Sequence, residues 1–122
     1  MREILFKGKR VDNGEWVYGF LVKMWGQYHI VDQNNENSAY MIEPESVGQY
    51  TGLTDKNGKK IFEGDILLKG FEKVLVKWNA NQCRWGIYSN NYEICGFNES
   101  TQGYFEVIGN IYDNLELLEV EE

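Results

Sequence analysis

Residues Val47 to Leu67 read VGQYTGLTDKNGKKIFEGDIL. Two apolar runs flank Asp55-Lys56-Asn57-Gly58, and Glu63-Gly64-Asp65 then redirects the chain into Ile66, Leu67 and Leu68. An Asn-Gly pair between such runs is a strong hairpin signal, because a type I′ turn needs positive φ at both central residues. The expected geometry is therefore positive φ at Asn57 and at Gly58. At the second bend, Gly64 relieves the steric cost and the Asp65 carboxylate can accept a hydrogen bond from a nearby backbone N–H.

Short strands separated by turn residues extend this pattern in both directions. Towards the N-terminus, Ile4 to Phe6 reads as a strand running into a turn at Lys7-Gly8-Lys9. Asp12-Asn13-Gly14 is another hairpin turn. Glu15 to Lys23 follows as a strand that is apolar on both faces, which predicts cover on two sides near its middle. Gly19 inside it signals a bulge or a close backbone approach. Asp32 to Ser38 is a polar loop, and Pro44, the single proline, suits the start of a turn or of one helical turn. Towards the C-terminus, Glu72 to Trp78 alternates: Val74, Val76 and Trp78 on one face, Lys73, Leu75 and Lys77 on the other. Tyr104 to Tyr112 reads as the last strong strand, with a bulge or bend at Gly109. Leu115, Leu117 and Leu118 fit a final helical turn better than an edge strand, given the Asp113-Asn114 cap and the acidic residues after it.

Many short strands and no long helix predict an all-β fold, a small β-barrel or sandwich. The expected organisation is an N-terminal β subdomain over residues 1–43 and a small SH3-like β-barrel over 44–122, with an acidic C-terminal tail and short helical turns only. Composition agrees. Aromatics are 15% of the 122 residues, with 13 Gly and one Pro, and aromatic residues favour strands while glycines punctuate turns.

The net charge of −7 is unevenly placed. Every Lys and Arg lies at or before Arg84, and from Trp85 onward there are only acidic charges. That argues against nucleic acid lying along the C-terminal third, since phosphate binding depends on Lys and Arg. No apolar run approaches the ~20 residues of a membrane-spanning helix. No N-terminal targeting signal is visible, and Cys83 and Cys95 are expected to be reduced thiols.

Candidate chemistry is sparse. Glu63 and Asp65 could form a carboxylate pair, but Gly64 between them makes turn roles the simpler reading. His29 is the sole histidine, too few for a metal cluster, and Cys83 has no histidine near it to form a thiolate pair. Gly48-Gln49-Tyr50-Thr51-Gly52 lacks the lysine and helix of a phosphate loop. The expectation is no catalytic residue, no cofactor and no metal. Trp16, Tyr18, Trp25, Tyr28 and Tyr50 are the candidate partner-binding residues, as aromatics that could form an exposed patch if not taken into the core.

Four segments resemble the YopX family of small phage and prophage proteins. They are Arg2 to Gly8 (REILFKG), Gly14 to Gly19 (GEWVYG), Pro44 to Ile66 (PESVGQYTGLTDKNGKKIFEGDI) and Val107 to Leu118 (VIGNIYDNLELL). The third is the most specific. Leu115 departs from the family pattern, where proline is frequent. The resemblance implies an all-β fold with an SH3-like barrel, a phage or prophage origin and a place in the bacterial cytoplasm. It carries no activity, because the family's function is unknown. The expected role is a non-enzymatic structural or protein-interaction module that self-associates and acts on an unidentified phage or host protein. The alternative is a nucleic-acid-binding accessory protein using Lys7, Lys9, Arg10, Lys56, Lys59, Lys60, Lys69, Lys73 and Lys77.

Overall fold

The structure is a computed structural model that describes residues 3–118. Its strands pair antiparallel, and the helical content among the described residues is three short 3₁₀ turns. The all-β expectation therefore holds. The chain divides into two compact units, Met1–Tyr50 and Thr51–Glu122.

In the first unit, β1 (Phe6–Lys9), β2 (Trp16–Met24), β3 (Gln27–Asp32) and β4 (Ala39–Met41) form a meander, and the start of β5 (Gly48–Thr54) pairs with β1. Turn residues set the connections. Gly14 (φ +72°) closes β1–β2, and Trp25 (φ +50°) with Gly26 (φ +77°) closes β2–β3. Two consecutive positive φ values in a two-residue loop are the type I′ pattern, which matches the twist of the strands. The polar Asp32–Ser38 segment is a hydrogen-bonded turn, with Asp32 N donating to Ser38 O at 2.9 Å.

Lys7-Gly8-Lys9 lies within β1 and is not the expected turn. Its glycine has a packing reason: a Cβ on Gly8 would sit 2.5 Å from Ile42 Cδ1. Gly19 is the expected close approach, since a Cβ there would collide with the carbonyl oxygen of Val31. The expected two-sided cover of β2 is not met. Phe20, in the middle of the strand, is 54% exposed, and Tyr18 is 38% exposed. At Gly19 the Val31 backbone takes the place of a side chain on one face of the strand, while Tyr18 and Phe20 on the other face stay open. Pro44–Ser46 forms a 3₁₀ turn, tied to β1 by Lys9 N donating to Ser46 Oγ at 2.8 Å.

In the second unit, the end of β5 pairs with β6 (Lys60–Phe62), and the Thr51 hydroxyl donates to Ile61 O at 2.8 Å. A five-stranded sheet holds β7 (Asp65–Lys69), β8 (Glu72–Asn79), β9 (Arg84–Ser89), β10 (Tyr92–Gly96) and β11 (Glu106–Asn110), in the order β10-β9-β8-β7-β11. Val74, Val76, Leu67 and Ile87 point to one face and form a core with Leu53 and Ile61. Phe97 and Phe105 close that core edge-to-face at 5.7 Å.

The β5–β6 turn differs from expectation. Gly58 has φ +83°, while Asn57 is not among the residues at positive φ. Asp55 N donates to Lys59 O at 2.8 Å and Gly58 N to Asp55 O at 3.0 Å. This is a type I turn followed by a left-handed glycine, the three-residue hairpin loop. The cause is Asp55, whose Oδ1 accepts from Asn57 N at 2.8 Å and Lys59 N at 2.9 Å and holds the turn open by one residue. At the second bend both expectations hold: Gly64 has φ +88°, and Phe62 N donates to Asp65 Oδ2 at 2.8 Å. The register of β11 shifts between Val107 and Gly109, the expected bulge. Leu115–Leu118 forms the expected final helical turn; residues 119–122 of the acidic tail lie outside the described residues.

Candidate functional site

The five aromatic candidates of the first unit do not form one patch. Trp16, half-buried in β2, carries Lys7 Nζ at 4.8 Å and Lys9 Nζ at 5.9 Å from its ring centroid. Antiparallel pairing of β1 with β2 brings these cations onto the ring, because Lys9 lies opposite Trp16 and Lys7 opposite Tyr18. Tyr28 lies under Lys23 Nζ at 5.3 Å. Tyr50 is buried. Trp25 sits at the tip of the β2–β3 hairpin and is 92% exposed. Only Tyr18, Phe20 and Trp25 present large open surface from β2 and its turn.

The residues of sparse chemistry take structural places. Asp65 is buried in its turn. His29 is half-buried, with Nδ1 3.1 Å from Gln27 O. Cys83 and Cys95 are free and exposed. No group of three His, Cys, Asp or Glu side chains that could hold a metal ion occurs among the described residues.

A concave site lies elsewhere, on the outer face of the second unit's sheet. It is a groove of about 450 Å³, within the range of roughly 300–1,000 Å³ typical of ligand sites. Strand alternation builds its floor. Val74 and Val76 point into the core, so Lys73, Leu75 and Lys77 point outward into the groove. Tyr88 stands opposite Leu75 in the β8–β9 register and joins the same face. Lys77 Nζ lies 4.9 Å from the Tyr88 ring centroid. The wall comes from the chain after β11: Ile111 and three leucines of the last 3₁₀ turn, which packs on β8. Asn90 (φ +53°) and Asn91 (φ +71°) make the type I′ turn at the rim.

Beside the groove, Glu93 accepts hydrogen bonds from Asn79 Nδ2 and Arg84 Nη2. Gly86 leaves the room for this, since a Cβ there would sit 2.5 Å from Glu93 Oε2. The hydrogen bonds from Asn79 and Arg84 hold the Glu93 carboxyl below its ordinary range. Burial, with the neighbouring Glu93 charge, pushes the Tyr88 phenol up. Tyr88 therefore stays a neutral hydroxyl at physiological pH.

The cations divide into engaged and open ones. Arg10 forms a two-point ion pair with Asp12, with Nε–Oδ1 at 2.9 Å and Nη2–Oδ2 at 2.7 Å, and stacks on Tyr40 at 4.1 Å. That hydrogen-bonded pairing raises Arg10 and lowers Asp12. Lys56 meets Glu106 at 3.5 Å and Arg84 meets Glu93. Lys73 has no ion-pair or ring partner among the described residues.

Sequence reasoning singled out the Lys73-Leu75-Lys77 face but gave it no partner. The missing signal was the leucine cluster after β11, which only the tertiary fold brings over β8.

The chain is thus an all-β protein of antiparallel sheets with a lysine-floored, leucine-walled groove. It matches the YopX protein family over residues 5–119 and belongs to that family. Among solved structures it is similar to protein EF1440 from Enterococcus faecalis, with a TM-score of 0.62 and 22% identity, covering 98% of this chain and 100% of that one. That likeness shows a shared fold. No curated protein matches.

Proposed function

We propose that this protein is a non-enzymatic protein-interaction module that self-associates through its open β2 face. The observation that carries the reading is Phe20, 54% exposed in the middle of a strand that is apolar on both sides. Exposed apolar surface of that kind marks an interaction site. A second copy of the chain is the most economical partner, since soluble homo-oligomers are usually closed and symmetric. The phage or prophage origin and the bacterial cytoplasm belong to this proposal and rest on the resemblance of the quoted segments. So does a small SH3-like barrel in the second unit; its support is the β7-β8-β9-β10 meander with β11 returning beside β7.

The nucleic-acid alternative is weaker, because much of the basic set is engaged inside the chain by Trp16, Asp12, Tyr40 and Glu106. Light scattering tests self-association. The expected result is a dimer or larger at about 50–100 μM, well above the dissociation constant of a specific interface, and a monomer for Phe20→Lys. A monomeric wild-type protein ends the proposal.

A further inference from the structure

We propose that the groove beside β8 docks an extended acidic peptide segment of a partner protein. Its carboxylates would meet Lys73 and Lys77, and an apolar side chain between them would pack on Leu75 and Leu117. The proposal deepens the interaction-module reading and rests on it.

Charge complementarity selects the partner. The chain has a net charge of −7, yet the groove floor shows two lysines, and among the described residues no carboxylate lines it. Lys73 has no ion-pair partner among the described residues, and Lys77 meets only the neutral face of Tyr88. In a groove walled by leucines, these two cations face apolar side chains and a phenol ring and are open to a carboxylate from outside.

Spacing selects the shape. Lys73 and Lys77 are four residues apart on one strand, so their Cα atoms are separated by about 13 Å at ~3.3 Å per residue. A small anion cannot bridge that distance. An extended peptide with acidic residues at i and i+4 can, and its residue i+2 then falls over Leu75.

The apolar wall separates peptide from nucleic acid. Leu115, Leu117 and Leu118 offer nothing to a sugar-phosphate backbone, whereas they suit a Leu, Ile or Phe side chain. The asparagine rim supplies polar groups that can meet a peptide backbone.

The experiment is a random-peptide display selection on the intact wild-type protein, counter-selected on K73E/K77E. The strongest peptide is then titrated by fluorescence anisotropy. Both lysines lie outside the core, so the variant is expected to keep the wild-type denaturation midpoint, which is checked first. The expected result is enrichment of Asp or Glu four residues apart around an apolar residue, with affinity falling about tenfold or more in K73E/K77E. Peptides lacking that pattern, or binding K73E/K77E equally, would overturn the proposal. If such peptides are instead lost on Phe20→Lys, the groove assignment fails while the interaction-module reading stands. Displacement of the peptide by a single-stranded oligonucleotide at a lower concentration than unlabelled peptide requires also overturns it, because the groove would then be a phosphate site.

Discussion

Removing the Asp55 carboxylate should detach the β5–β6 turn from β11. Asp55 is 6% exposed. Its Oδ1 accepts from Asn57 N and Lys59 N at 2.8 and 2.9 Å, and its Oδ2 accepts from Val107 N at 3.0 Å. The first two bonds shape the turn. The third spans 52 residues and fixes β11 against the hairpin, beside the Lys56 N to Phe105 O bond of 2.9 Å. Asp55→Asn separates these roles. Its amide oxygen can still serve the turn, but an –NH₂ then faces the Val107 N–H, donor against donor. A hydrogen bond to a charged group contributes about 1.5–3 kcal/mol, and an unsatisfied buried donor costs about 1–3 kcal/mol. The expected loss is therefore about 2 kcal/mol for Asp55→Asn. For Asp55→Ala it is about 3 kcal/mol, less than three full bonds because the exposed turn amides regain water.

The pH dependence is an independent check. Burial by itself would raise the Asp55 carboxyl, but the N–H groups of Val107, Lys59 and Asn57 reverse this and bring it below the ordinary 3.8. A lowered native pKa means the unfolded state binds the proton first as pH falls. The stabilisation is thus complete above the ordinary carboxylate range and disappears as pH falls through the native value. Urea unfolding at pH 7 and at steps down to about pH 2.5 reads the free energies, and amide exchange at Val107 reads the local bond. A wild-type midpoint for Asp55→Asn at pH 7, with Val107 still protected, would refute the reasoning. So would an acid-induced loss as large in the variant as in the wild type.

Four further substitutions test the backbone. Gly58→Val should destabilise by about 1–2 kcal/mol through its left-handed φ alone, since no atom lies within 4 Å of its Cβ position, whereas Asn57→Ala should stay within about 0.5 kcal/mol because Asn57 donates to Asp55 through its backbone; equal losses in urea unfolding would restore the type I′ turn. Gly19→Ala should lose at least about 2–3 kcal/mol by driving a methyl into the Val31 carbonyl, and unchanged thermal unfolding would remove that contact. Leu115→Pro should be neutral or stabilise by up to about 1 kcal/mol, because residue 115 opens the last 3₁₀ turn, where a fixed φ and a missing N–H are tolerated; a loss beyond 1 kcal/mol would show that the Leu115 side chain on the groove wall matters more than its backbone.

The all-β class was legible because it follows from local chemistry. Gly64 and Asp65, the Gly19 approach and the Gly109 bulge are each specified within a few residues or by one neighbouring strand. The Asn57 error has a local form but a distant cause. The Asp55 side chain, anchored by Val107 fifty-two residues away, chooses the longer turn over the one an Asn-Gly pair favours by itself. Gly8 misled in the same way: it reads as a turn residue, and its need for Ile42 is visible only once β1 and the strand end near Ile42 meet.

The site was less legible, because a groove needs two walls from separate parts of the chain. Alternation along β8 already turned Lys73, Leu75 and Lys77 away from Val74 and Val76. What it could not show is why an outward Leu75 is tolerated between two lysines. The leucines of the last turn cover that face, and Ile66, opposite Leu75 in the β7–β8 register, is fully buried although it lies outside the core cluster. The sheet thus has apolar cover on its outer side at β7, and that cover stops short of Lys73 and Lys77. The groove is the place where it ends, and its amphipathic character follows from that boundary.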